Sequence, residues 1–132
     1  MKTSDALLDH LAVAARGARR DGLFALWLLT RAAEDECLDP PLSPTGRAQR
    51  LEAIERRLAT LALPAALRRA LPGALVHLRE AGPRSAAMVM QLLTAPVRDA
   101  LGDEAAEVLV RGAVAARQAD GGSATTPTRG ES

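Results

Sequence analysis

The stretch Gly22-Leu23-Phe24-Ala25-Leu26-Trp27-Leu28-Leu29-Thr30-Arg31-Ala32-Ala33 constrains this chain more than any other. It is the most apolar run, and it holds the only Phe and the only Trp. Leu23, Leu26, Trp27 and Thr30 share one helical face, and Phe24, Leu28 and Arg31 form a neighbouring one. Apolar side chains therefore cover most of the circumference. That is the pattern of a helix buried on several sides, where a surface helix shows a single stripe. The spacing predicts a central helix against which the others pack, with Trp27 and Phe24 as dry core anchors. Its apolar core of about eight residues falls far short of the roughly 20 needed to cross a bilayer.

Elsewhere the apolar residues are chiefly Ala and Leu, with few Val and Ile and no Tyr. Such a composition favours helices over strands. The 132 residues fit one domain with one hydrophobic core. The expected fold is all-α: a compact, irregular (orthogonal) bundle of five to seven helices over residues 1–119, several punctuated by Pro. Residues 120–132, with Gly121-Gly122-Ser123 and little apolar content, are expected to form a disordered tail.

Along the chain, residues 4–20 read as a first helix capped by Ser4 or Thr3, followed by an Asp21-Gly22 turn into the central helix. The central helix ends in Glu34-Asp35-Glu36-Cys37-Leu38-Asp39. Acids at a helix C-terminus face the negative end of the dipole, so an offset is expected, most simply from nearby arginines. Pro40-Pro41-Leu42-Ser43-Pro44 reads as a stiff connector, with Ser43 as cap and Pro44 in the first turn of a helix running to about Ala62. Leu51, Ile54, Leu58 and Leu61 give that helix a narrow heptad-like seam. Leu67, Leu71, Leu75 and Leu78 continue one stripe through Pro72-Gly73, which predicts a kinked helix or two short ones. Residues 85–94 form the next helix, Ala95-Pro96 interrupts it, and 97–101 add a turn or more. Asp103 caps a last helix over 104–119.

The chemistry is sparse. No Glu-x-x-His, Cys-x-x-Cys or His-x-x-x-His spacing converges ligands on a metal, and no phosphate-binding glycine loop or nucleophile elbow occurs. Cys37 stands beside acids at a helix C-terminus, which raises a thiol pKa and disfavours a thiolate. The reading is a non-enzymatic chain with no cofactor, no metal and no catalytic residue. The single Cys excludes an intrachain disulfide framework. With no signal pattern near Met1, a cytoplasmic location is expected.

Three functions remain. Met88, Met90, Val108, Gly112 and Ala116 offer adaptable or small-residue surface, and apolar faces in surplus suggest a protein-interaction or assembly module, self-associating or docked to a larger complex. Since Met88 and Met90 lie two apart, one is expected to point outward. The alternative is a nucleic-acid-associated subunit. Residues 44–84 hold eight Arg against three Glu, and Arg47, Arg50, Arg56, Arg57, Arg68 and Arg69 are candidate phosphate contacts. Against it, no aromatic interleaves with these arginines for base stacking, and net charge is only +1. The third is a small-molecule site around Trp27, His77 and Met88.

Overall fold

The computed structural model describes residues 3–13, 18–38, 40, 42–80 and 82–129, with side chains from Ser4 to Ala12 and Arg19 to Ala119 within those spans. Among the described residues it is all-helical, as expected, with six helices: α1 (Thr3–Val13), α2 (Ala18–Asp35), α3 (Pro44–Leu58), α4 (Ala65–Arg79), α5 (Pro83–Leu101) and α6 (Asp103–Arg129). The most extensive packing joins α5 to α6 and to α4, while α2 touches α1, α3, α4 and α5. The core is built from Leu and Ala of these helices, with Leu7, Leu23, Leu26, Leu78, Leu93, Leu109, Val89 and Val97 fully enclosed. Among the described residues no helix is long and apolar enough to cross a membrane.

Several boundaries differ from those read in the sequence. The first helix ends at Val13, and Ala14, Ala15 and Gly17, also assigned to it, lie outside the described residues. The central helix begins at Ala18, so Asp21-Gly22 is helical. The glycine there serves packing. A Cβ at Gly22 would sit 3.1 Å from Leu101 Cδ2 and 3.2 Å from both Leu67 Cδ1 and Pro64 Cδ. Close approach of α2 to the start of α4 and the end of α5 therefore needs a missing side chain, which offsets the helix propensity lost to glycine. Asp21 accepts the Ala62 amide at 2.8 Å and fixes the α3–α4 connection at the same corner.

The prolines interrupt less than expected. Pro72 and Pro96 lie inside single helices, α4 and α5. Each removes one backbone donor, and continued burial on both sides, from Leu67 to Leu78 and from Ala86 to Leu101, holds the helices together. The Ser43-Pro44 start is as expected, with Ser43 Oγ accepting the Gly46 amide at 3.0 Å. Ser4 caps differently. Its amide and hydroxyl both donate to the Glu34 carboxylate, at 3.0 and 2.6 Å, so the start of α1 is closed by the end of α2. Gly102, at φ +102, is the one residue between α5 and α6; that backbone region is open to glycine and strained for any side chain. The last helix extends to Arg129, ten residues past the expected end at 119.

α2 is closed on one side and partly open on the other. Leu23, Ala25, Leu26, Leu29, Thr30, Ala32 and Ala33 are buried. Phe24, Trp27 and Leu28 are half-buried, and Arg31 is exposed. The expectation that the indole is dry and enclosed is thereby corrected. The reason is α3: its narrow seam of Leu51, Ile54 and Leu58 meets α2 along a limited contact and leaves the aromatic face partly in solvent.

Candidate functional site

The acidic end of α2 is a junction. Glu34 takes the N-terminal amide and hydroxyl of Ser4, where the positive end of the α1 dipole favours an anion. Glu36, its side chain 7% exposed, accepts Arg47 Nε at 2.7 Å through one oxygen and the Gly82 amide at 2.9 Å through the other. Arg47 also donates to the carbonyls of Leu78 and Glu80, capping the end of α4. Asp35 Oδ2 lies 3.0 Å from Arg50 Nε, yet this buried oxygen is not aligned for a hydrogen bond and has no hydrogen-bond partner among the described residues. Burial pushes the Asp35 carboxyl above the usual carboxylate range, and Arg50 and Arg31 only partly oppose it. The expected offset for these acids is therefore present: arginines serve two of them, and a helix N-terminus serves the third.

Cys37 continues this end. Its residue is exposed, but Sγ lies 4.0 Å from the Ala33 carbonyl, shielded by the last turn. That desolvation, and then Glu36 and Glu34, push its thiol pKa up. Its environment favours the neutral thiol over the thiolate nucleophile. Among the described residues, no three of His, Cys, Asp and Glu converge on a metal position.

Beside the junction the aromatic face is open. Phe24 and Trp27 stack at 5.7 Å with their planes 20° apart. Arg31 lies 5.0 Å from the indole centroid and Arg57, from α3, 5.2 Å from the Phe24 ring. A hollow of about 220 Å³ adjoins Trp27 between α1 and α2, lined by Ser4, Asp5, Leu8, Arg31, Glu34, Asp35 and Leu38. A second of similar size lies toward α3, lined by Leu28, Arg31, Arg50, Ala53 and Ile54. The largest of these hollows, about 490 Å³, is a leucine groove at the α3–α4 corner. Leu58, Leu61, Leu63, Leu71 and Leu75 line it with Ala59, Ala62, Glu55 and Arg68.

The six candidate phosphate contacts separate. Arg47, Arg50 and Arg56 are engaged by Glu36, Asp35 and Glu52, and Arg57 lies over Phe24. Arg68 and Arg69 are exposed and make no ion pair among the described residues. The five candidate interface residues separate too. Met90, Val108, Gly112 and Ala116 face inward within the chain itself, so only Met88, 41% exposed, presents surface. The expectation that one methionine points outward holds. The small residues of α6 let it approach its own neighbours closely. Trp27, His77 and Met88 share none of the three hollows; His77 instead pairs with Glu80 at 3.2 Å.

The leucine groove was missed in the sequence. Its signal was present in Leu63, outside any expected stripe, and in Leu61, which was read into the α3 seam but lies past the end of that helix at Leu58. A second apolar spot went unmarked. Val76 on α4 and Met88 on α5 are 54% and 41% exposed. Comparison of the chain with family models, with curated proteins and with solved structures gives no match.

Proposed function

We propose that this chain is a non-enzymatic interaction module that self-associates through the leucine groove between α3 and α4. The observation that carries this reading is the groove itself, where Leu61, Leu63, Leu71 and Leu75 stay only half-buried beside the buried Leu58. Apolar area left in water is the driving force for association. A second copy is the simplest occupant, because a two-fold axis sets the same patch against itself. Arg68 lines the groove with no ion pair among the described residues, whereas Glu55 is held by Arg79 at 2.8 Å, so the charge left for a partner is Arg68's. A free thiol at Cys37 suits a cytoplasmic setting.

Light scattering tests the proposal. The full chain is expected at a mass of at least twice 13.9 kDa, and Leu71→Glu or Leu75→Glu is expected to return it to one copy with its helicity intact. A full chain that stays at 13.9 kDa across concentrations ends this reading. The nucleic-acid reading rests now on Arg68 and Arg69, and it requires binding that weakens steeply with salt.

A further inference from the structure

We propose that the leucine groove at the α3–α4 corner binds a free alkyl carboxylate of the medium-chain fatty-acid class, its head on Arg68 and its chain along Leu71 and Leu75, and that this ligand competes with the second copy for the groove. Only the competition rests on the self-association reading; the site stands on the groove's own lining. The groove holds about 490 Å³. Small-molecule sites of that size are mostly apolar, with a few polar groups that fix the ligand's orientation. Seven of the nine lining residues are Leu or Ala, and the other two are Glu55 and Arg68.

Those two charges differ. Glu55 is held by Arg79 at 2.8 Å, whereas Arg68 is exposed and makes no ion pair among the described residues. The charge available to a ligand is therefore one guanidinium, whose forked donors suit a carboxylate. The helix adds to it. Leu63 and Arg68 bracket the first turn of α4, and its N-cap, Pro64, brings no side chain to the free amides. The positive end of the α4 dipole thus reinforces the guanidinium.

Length completes the match. Arg68, Leu71 and Leu75 follow at spacings of three and four, so they share one face of α4. Seven residues at ~1.5 Å each carry that face about 10 Å along the helix from Arg68, the reach of a medium-length alkyl chain. Leu61 and Leu63 extend the apolar lining, and all four leucines stay half-buried, with area still to be covered. One free charge over an apolar lining matches a ligand with one charged end and no other polar group. The hollow between α2 and α3 differs, because its arginines are already engaged, Arg50 by Asp35 and Arg31 over the indole.

The experiment titrates the full chain with sodium decanoate, below its micelle concentration, by calorimetry. Saturable binding with Kd on the order of 0.1–1 mM is expected, and octanoate, two methylenes shorter, is expected to bind about fivefold more weakly. Arg68→Gln, an exposed change, is expected to weaken decanoate about threefold. Arg69→Gln, equally exposed but outside the groove, is expected to leave it unchanged. Light scattering in the same buffer reads the competition: saturating decanoate is expected to lower the mass from twice 13.9 kDa towards 13.9 kDa. A chain already at 13.9 kDa without ligand ends the self-association reading, and the calorimetry still decides the site. The proposal is overturned by the absence of saturable decanoate binding, by equal affinity for the two chain lengths, by equal effects of the two arginine variants, or by a dimer that takes up decanoate without losing mass.

Discussion

At the scale of single residues, the Glu36 carboxylate lies in a nearly dry position, with Arg47 and the Gly82 amide reaching it from two other elements. Breaking a buried pair costs far more than the pair contributes, since the charge left behind has lost its water. Arg47→Met is therefore expected to destabilise the fold by about 3 kcal/mol in urea unfolding, the cost also including the lost donors to Leu78 and Glu80. Asp35 has the opposite character. Its carboxyl pKa is raised on folding, so its contribution to stability is greatest at low pH and falls as pH rises through the raised value. Asp35→Asn cannot ionise. Relative to the parent chain it is expected to gain stability as pH rises through that window and to hold a constant difference above it, as read from paired urea midpoints. The need for these partners was legible in the run of acids at 34–36. Nearby arginines were legible as partners, but Ser4 and Gly82 were not, because they lie 30 and 46 residues away in the chain and only the closed fold brings them near.

At the scale of elements, the number and type of helices follow from Leu and Ala periodicity, while their limits follow from packing. Gly22 and the two interior prolines all read as breaks, and all three lie within helices. A local signal worth about 1–3 kcal/mol yields where both flanks are buried. Gly22 can be tested directly. Gly22→Val improves helix propensity by a few tenths of a kcal/mol, yet its new atoms meet Pro64, Leu67 and Leu101. The net change is expected to be a loss of about 1–3 kcal/mol, seen as a lower urea midpoint.

At the scale of the whole molecule, the expected enclosure of Trp27 failed for a reason outside α2. Its own sequence permits burial over most of the circumference, but the cover must come from α3, whose buried seam is only Leu51, Ile54 and Leu58. The leucine groove lies elsewhere, at the α3–α4 corner, and no residue of α2 lines it. The candidate interface on α6 shows the reverse, with small residues used inside the chain. The composition of 120–132 supplies no large apolar side chain, and its Gly, Thr and Pro are poor helix formers. Ending the chain at residue 119 is expected to change the unfolding free energy by less than about 0.5 kcal/mol, measured by urea titration of the two lengths.

The junction at the end of α2 also sets an order of events during synthesis. Glu34 finds its partner 30 residues behind it, on a segment already made, whereas Glu36 must await Gly82, 46 residues ahead. A chain emerging from the ribosome can therefore clasp α1 to α2 early as a two-helix unit. The second clasp closes only after α4 has left the tunnel, and it closes α3 and α4 together. The N-terminal pair thus has its own carboxylate clasp within reach before the later helices are made.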